Sequence, residues 1–382
     1  MTIKNSRIVS GLISVGIGDV GGYAIGMAFW FMIASILEPE KFGELAFFMG
    51  IAAVSSTIAL LGSGNSLVVL ISKKVPITSS FSSFSLIISV GIAIILGIIF
   101  SRIDLCLLVI ALTIGVIGTS ILTGKHEYKK FGIYNISQKI ILFTSALVIY
   151  FIFQNELFLF SIGISYLVFL PIVISSFKEN KINKNIFWKE KKFIFTNYVS
   201  TLVGVFGKDI DKFIIPAILG IATLGQFSLS VQIYAGMMII PLVVNRLMLA
   251  EESADRNTGK LFKYTMIIQT IVGGLAMFLL PYFIPEFFPK YIETIEIIPI
   301  IALSIIPGTL ISILTTKIIA RKRNTILLSS TAIQMATLGF GLLILGSFFG
   351  PIGLGIAHLL SYSVASVVLL IFSRSEIFEK TK

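Results

Sequence analysis

The sequence is poor in charged residues and in the residue types that hold metal ions. Only 13% of its 382 residues are Asp, Glu, Lys or Arg, about half the fraction in soluble domains, whereas 56% are apolar. A single cysteine, Cys106, excludes an internal disulfide, and the two histidines lie far apart, so we expect neither a metal site nor a cofactor. Apolar runs of about 18 residues or more are long enough to cross a bilayer. The sequence therefore predicts an all-α membrane protein.

Twelve apolar runs predict about twelve transmembrane helices. They are Ile8–Leu37, Phe42–Leu61, Phe81–Phe100, Leu105–Leu122, Ile136–Phe153, Leu157–Phe177, Phe193–Leu219, Thr223–Leu249, Tyr264–Phe283, Ile297–Ala320, Ile326–Phe349 and Ile352–Phe372. In an alternative interpretation the second run continues past Gly62–Asn65 to Ile71. A basic loop at 178–192 divides six runs from six. We therefore expect a six-helix lobe at 1–177, a cytoplasmic linker at 178–192 and a second six-helix lobe at 193–382.

The basic residues are distributed unequally between the two sides of the membrane. Of the 30 Lys and Arg residues, 25, including Lys139, fall on the side that holds both termini, and only Lys41, Arg102 and Lys290 fall on the other. Because basic loops stay in the cytoplasm, both termini are predicted to be cytoplasmic. The net charge of +11 thus reflects topology, and no nucleic-acid partner is expected. The Ile-, Lys- and Asn-rich composition suggests the cell membrane of a prokaryote.

The two halves show a weak internal repeat. A shift of 182 residues aligns the end of the first run with the end of the seventh and gives the identical pairs Ile36/Ile218, Leu37/Leu219, Gly43/Gly225 and Ile51/Ile233. A repeat of six spans keeps its orientation, so the halves would be related by an axis along the membrane normal. The alternative is that apolar helices resemble one another by composition.

The seventh run contains four charged residues, Lys208, Asp209, Asp211 and Lys212. Each charge near a helix centre costs about 2.5–3.5 kcal/mol on insertion scales, so this helix needs polar neighbours. At about 100° per residue the four cover an arc of about 160° on one side. They predict either a self-neutralising ion cluster that holds helices together, or the wall of a cavity that binds an anion and a coupling ion.

The first run carries one acid, Asp19, with Tyr23 one turn later, where a hydroxyl can reach a carboxylate. Gly18, Gly22 and Gly26 form a stripe of small residues that permits close helix approach. The pattern predicts either tight packing around a buried acid, or a bending helix with a titratable group.

Three further polar residues are candidates. Asn245 and Arg246 end the eighth run, where an arginine can either bind a phosphate or anchor the helix at the interface. His358 lies within the last run and is either functional or a hydrogen-bonded core residue.

Several stretches of the chain match the pattern of a known family: Ala34–Gly43, Ile210–Lys212 followed by Leu219–Gly220 and Leu224–Gln226, and Pro351–Gly355. On these residues the chain resembles the polysaccharide flippases, the Wzx-type O-antigen translocases of the MATE-like MOP superfamily. The arrangement of six runs, a basic loop and six runs agrees with it.

This resemblance implies two six-helix lobes that form a V around a central cavity. The implied cargo is an oligosaccharide on a polyprenyl diphosphate, moved from the inner to the outer leaflet by alternating access and coupled to H⁺ or Na⁺. The implied partners are membrane lipids and other membrane proteins of polysaccharide assembly. Candidate cargo contacts are Lys208, Lys212 and Arg246, and candidate ion-binding residues are Asp19, Asp209 and Asp211.

Two alternatives differ in function. A cation-coupled small-molecule antiporter of the MATE type would share the fold. A membrane-embedded glycan polymerase or ligase is disfavoured because the outer loops are too short to hold a folded domain, so we predict that the chain is not an enzyme.

Overall fold

The computed structural model describes residues 21–61, 63–153, 157–180, 182, 184–253, 257–320 and 324–377. Within these ranges the chain is helical and contains no β-strand. The α-helices are α1 (Gly21–Ile36), α2 (Pro39–Ala59), α3 (Ser63–Ser72), α4 (Thr78–Phe100), α5 (Ile103–Gly124), α6 (Tyr128–Phe153), α7 (Phe158–Tyr166), α8 (Leu170–Ser176), α9 (Lys184–Asp209), α10 (Asp211–Leu219), α11 (Ile221–Met237), α12 (Ile239–Ser253), α13 (Gly259–Phe287), α14 (Thr294–Leu303), α15 (Ile305–Ala320) and α16 (Asn324–Ile377). Short 3₁₀ turns lie at Leu167–Phe169 and Pro289–Tyr291.

Eight helical segments of the described chain are long and apolar enough to cross a bilayer, and the bent pair α14–α15 would make nine. Twelve were predicted. The predicted seventh span, Phe193–Leu219, is not among them because it is divided at Ile210 and carries four charges there. The segment Ile326–Phe372 counts once, although Gly350, with φ of +59°, divides α16 into two helices. Residues 8–20 of the predicted first span lie outside the described residues.

The helices form two compact units, the first of which comprises residues up to Phe29 and Phe48–Val205. Its core is built around α5, which is buried along most of its length. In the same unit, serines of α4 contact α8: Ser79 Oγ donates a hydrogen bond to the Ser176 carbonyl at 2.6 Å. Small side chains allow such close approach of helices, and their hydroxyls bond between them.

The second unit comprises Trp30–Phe47 and Phe206–Lys382. Apolar residues of α10, α11, α14, α15 and α16 form its core, chiefly Ile215, Leu224, Phe227, Ile297, Ile301, Ile305, Leu342 and Leu354. The chain therefore passes from one unit to the other within α1, within α2 and again within α9. That helix begins at Lys184, inside the basic segment 178–192 that was predicted as a linker.

The fifth predicted span begins earlier than expected. Because α6 begins at Tyr128 rather than at Ile136, Lys139 lies near the middle of the helix, 11 residues after its first residue and 14 before its last. Lys139 was counted with the basic residues of the cytoplasmic side, close to the beginning of its predicted span, whereas the helix extends about three turns before it. The polar residues of 128–139 hid the helix start, although Lys, Tyr and Gln are compatible with a helix.

Candidate functional site

The four charged residues predicted in the seventh span lie at the junction of α9 and α10, within the second unit. Asp209 and Asp211 are buried, with 5% and 7% of their surface exposed. Lys212 Nζ forms a short ion pair with Asp209 Oδ1, one turn away. Lys208 is exposed and forms no ion pair with any residue that the structure describes. The cluster is therefore only partly self-neutralised.

A proline lies shortly after this junction. Pro216 lies inside α10, and its missing N–H leaves the Lys212 carbonyl without the usual helical donor. The junction packs on the first part of α16, where a Cβ added to Gly339 would lie 2.9 Å from Ile210 Cδ1. The absence of a side chain at Gly339 thus lets the charged turn approach the neighbouring helix closely.

Asp211 is the buried acid without a matching cation. Its Oδ1 atom accepts no hydrogen bond from the described residues, although buried carboxylate oxygens usually find a donor. A buried acid with an unsatisfied oxygen is chemically suited to take up a proton or a small cation.

His358 lies in a buried aromatic cluster of the same unit. Its Nδ1 atom is 3.1 Å from Ser304 Oγ, at the 41° bend between α14 and α15. The ring of Tyr362, one turn later, is tilted against the imidazole at a centroid distance of 4.7 Å, and the Tyr234 ring meets it edge-on at 5.1 Å. Helices α11 and α16 and the bend between α14 and α15 thus contribute to the surroundings of His358.

Tyr234 packs against a glycine that makes room for its hydroxyl. A Cβ on Gly308 would lie 2.0 Å from Tyr234 Oη, and Tyr362 Cδ1 would lie 3.5 Å away. Neither tyrosine was singled out from the sequence. The spacing of Tyr362 four residues after His358 is the signal that could have identified it.

The remaining predicted residues are separate from these two groups or are not described. Asn245 Nδ2 forms a short hydrogen bond to Ser312 Oγ, and its buried Oδ1 has no donor among the described residues. Tyr23, on α1 in the first unit, is half exposed. The side chain of Arg246 and the whole of Asp19 lie outside the described residues.

Two features of the described chain were not anticipated. Gln269 of α13 is fully buried, and neither side-chain polar atom has a hydrogen-bond partner among the described residues. Gln226 donates to Glu293 Oε2 at 2.7 Å, while its own oxygen accepts no bond there. Within the described ranges, no three His, Cys, Asp or Glu side chains lie together as a metal site would require.

Comparisons with known proteins identify the fold. No protein-family profile matches the chain, and no curated protein matches it by sequence. A structure of the lipid II flippase MurJ in an inward closed conformation matches 95% of this chain and 87% of its own, with a TM-score of 0.75 and 18% identity. An inward-facing multidrug resistance MATE transporter of the MOP superfamily matches 97% and 99%, with a TM-score of 0.69 and 15% identity.

A third similar structure is a MOP superfamily transporter from Pyrococcus furiosus, described as having a binding pocket of reverse polarity that suggests a different function. It covers 97% of both chains, with a TM-score of 0.61 and 14% identity. At these identities the likeness concerns the fold alone. The chain is a multi-pass helical protein with the fold of the MATE and MurJ structures of the MOP superfamily.

Proposed function

We propose that this chain is a flippase of the Wzx type, which moves a polyprenyl-diphosphate-linked oligosaccharide from the inner to the outer leaflet of a prokaryotic cell membrane. The observation that carries the proposal is the unequal charge pairing at the α9–α10 junction, where Lys208 is left without an ion pair among the described residues. An exposed lysine without an ion pair is suited to bind an anionic head group as a point charge. The likeness to the lipid II flippase supports a lipid cargo.

The proposed layout has twelve spans with both termini in the cytoplasm. Seven of the eight candidate spans count once, and the eighth, in α16, counts as two because Gly350 divides it. The other three spans are the bent α14–α15 pair, the charged α9–α10 segment, and a first span of which α1 is the described part. In this layout residues 1–177 and 193–382 form two six-helix lobes joined by a cytoplasmic segment at 178–192. Rocking of such lobes would expose a cavity to each side in turn.

The proposed roles follow from the two kinds of charge at the junction. Lys208 would contact the diphosphate, and Lys212 would do so when its bond to Asp209 opens. Asp211 would take up the coupling ion, H⁺ or Na⁺, because its Oδ1 has no donor among the described residues. A carboxylate that gains a cation would change the local charge by one unit and so favour one of two conformations.

A MATE-type antiporter for small molecules is the second candidate. The inward-facing MATE transporter shares the fold over nearly the whole chain. The aromatic rings around His358 are the specific feature that favours this candidate, because flat apolar cations bind well on aromatic faces.

A reconstitution experiment tests the proposal. The purified chain is placed in liposomes with a fluorescent lipid-linked oligosaccharide, and quencher accessibility is followed for the wild type, Lys208→Ala and Lys192→Ala. Lys192 is an exposed lysine on the same α9 helix and is the matched control for charge. Transport of the lipid by wild type and Lys192→Ala, with loss in Lys208→Ala, is the expected result. If the lipid stays in place while an ion gradient expels a dye, the antiporter is correct.

A further inference from the structure

Three side chains that carry oxygen atoms meet where α14 begins in the second unit. Glu293 immediately precedes α14, Thr294 is the first residue of that helix, and Gln226 comes from the second turn of α11. The Gln226 Nε2 atom donates a hydrogen bond to Glu293 Oε2 at 2.7 Å, which places the amide beside the carboxylate. We call these three residues the Glu293 group. Its members are brought together only by the fold, because α11 and α14 are far apart in sequence.

Two oxygen atoms of the Glu293 group are buried and have no hydrogen-bond partner among the described residues. They are Gln226 Oε1 and Thr294 Oγ1. Gln226 is only 6% exposed, and Thr294 is fully buried. Buried side-chain oxygens are usually bonded, because an unpaired one has lost its water without gaining a partner. Since an amide oxygen can only accept, Gln226 Oε1 needs a donor or a cation.

The negative charge of the group also has no partner of opposite sign. Glu293 forms no ion pair with any residue that the structure describes. Lys290 is close in sequence, but its Nζ atom lies 2.9 Å from Glu38 Oε1 and donates to the Ile36 carbonyl at 3.1 Å. Glu293 itself is exposed, so an ion from solution can reach its carboxylate. The group thus combines one accessible negative charge with two buried neutral oxygens.

We infer that the Glu293 group binds a monovalent cation, Na⁺, at the start of α14. Hard cations take oxygen ligands such as carboxylates and glutamine carbonyls, and the threonine hydroxyl supplies a third. One carboxylate balances a single positive charge, and within the described ranges no three His, Cys, Asp or Glu side chains lie together as a multivalent ion would require. An anion does not fit, because Glu293 already places a negative charge at this helix N-terminus.

This inference goes beyond the proposed function. The Glu293 group shares no residue with the charged junction of α9 and α10, where Asp211 is the proposed acceptor of a coupling ion. In the proposed layout α14 begins on the outer side of the membrane, so Na⁺ would enter from outside the cell. Because the ligands come from two helices, a bound ion would hold the start of α11 to the start of α14.

The test measures the binding of radioactive sodium to the full chain in detergent, without cargo and with choline keeping the ionic strength constant. Every protein in the series carries Asp211→Asn, so that an ion at that acid does not contribute. Glu293→Gln should weaken the Na⁺ affinity by about tenfold or more, because it removes the charge that balances the ion. Glu296→Gln removes the same charge from an exposed acid in the first turn of α14 and should leave the affinity unchanged.

A second pair of variants tests the buried hydroxyl. Thr294→Val keeps the size of the side chain but removes Oγ1, and it should weaken Na⁺ binding by about fivefold, the loss of one neutral ligand. Thr294→Ser retains the hydroxyl and should stay within about twofold of the parent protein. Because Thr294 Oγ1 has no partner to lose among the described residues, Thr294→Val should unfold at the parent temperature in choline without sodium.

Unchanged Na⁺ affinity in Glu293→Gln would overturn the inference. Equal losses in Glu293→Gln and Glu296→Gln would overturn it as well, because the ion would then be attracted by the acidic surface in general and not by the Glu293 group. The outcome is independent of the flippase proposal. Intact sodium binding with failure of the liposome assay would reject only the flippase, whereas lipid transport without sodium binding at Glu293 would reject only this site.

Discussion

Gly43 of α2 and Gly225 of α11 occupy equivalent positions in a reciprocal contact. A Cβ on Gly43 would lie 1.9 Å from the Ile221 carbonyl oxygen, and a Cβ on Gly225 would lie 1.8 Å from the Pro39 carbonyl oxygen. The two contacts are related by one shift, since 221 − 39 and 225 − 43 both equal 182. Two-fold symmetry produces such reciprocal contacts. The geometry therefore supports the duplication that four sequence identities only suggested.

Alanine at either glycine should destabilise the fold. In both cases the obstructing atom belongs to the backbone, which cannot rotate away, and overpacking of this kind costs about 1–3 kcal/mol. Gly91→Ala is the control, because nothing lies within 4 Å of its added Cβ and alanine favours a helix by up to about 1 kcal/mol. Thermal unfolding in detergent should show a lower midpoint for Gly43→Ala and Gly225→Ala than for wild type, and no decrease for Gly91→Ala. Equal midpoints for all three variants would contradict the contact.

Much of the fold could be predicted from the sequence, because long apolar runs indicate bilayer-spanning helices. The alternative interpretation that the second run continues past Gly62–Asn65 agrees with the single candidate span Pro39–Ser72. The sequence did not show where a single apolar run is broken into two helices. The backbone keeps helical φ and ψ at Ile210, so no local sequence signal marks the division there. Gly350 is one of 32 glycines in the sequence, and only the structure shows that its φ is positive.

The candidate site was less accessible to sequence reasoning. The four charges of 208–212 stood out against apolar neighbours, but their pairing did not, since Lys208–Asp211 and Asp209–Lys212 both have the i,i+3 spacing of a helical ion pair. The start of α6 was predicted too late, at Ile136, because many of the residues before Lys139 are polar. Tyr234 and Gly308 are far apart in sequence, and no local pattern links a hydroxyl to the glycine that accommodates it.

The Asp209–Lys212 pair should behave as a structural unit. Lys212→Met leaves a buried carboxylate alone and Asp209→Asn leaves a buried ammonium alone, so each should lower the unfolding midpoint. The double variant removes both charges and should recover most of the loss, which a double-mutant cycle in detergent measures. Asp211→Asn is the comparison: its Oδ1 has no donor to lose among the described residues, so stability should hold while ion-gradient dependence of transport disappears. If the stability losses of Lys212→Met and Asp209→Asn simply add in the double variant, the Asp209–Lys212 pair is not a structural unit.

Gly308 should tolerate a methyl group only if Tyr234 loses its hydroxyl. Gly308→Ala places a Cβ 2.0 Å from Tyr234 Oη, which must displace the ring or separate the helices. Tyr234→Phe removes that atom but leaves Cζ at 3.2 Å, so the double variant Gly308→Ala/Tyr234→Phe should recover part of the stability. Unfolding midpoints of the two single variants and the double variant check this. Gly274→Ala, whose added Cβ meets nothing within 4 Å, should show no such dependence on Tyr234.

Tyr291 should stabilise the second unit to the same extent from about pH 6 to pH 9. Its buried hydroxyl donates to the Leu37 carbonyl at 3.2 Å, and burial, with a smaller effect of Glu38, raises the pKa of this hydroxyl above its ordinary value near 10. A group whose folded pKa is raised contributes stability fully below the unfolded pKa and loses it as the pH rises through the folded value. Tyr291→Phe should therefore lower stability by about 1 kcal/mol, a typical net hydrogen bond, with a constant difference from wild type over this range.

Thermal unfolding at several pH values measures that difference. Lys290→Met is the control, because the contribution of the partly exposed Lys290–Glu38 pair at 2.9 Å should depend on salt instead. If the stability difference between wild type and Tyr291→Phe is already smaller at pH 8, the Tyr291 hydroxyl ionises readily and is not buried as the structure shows.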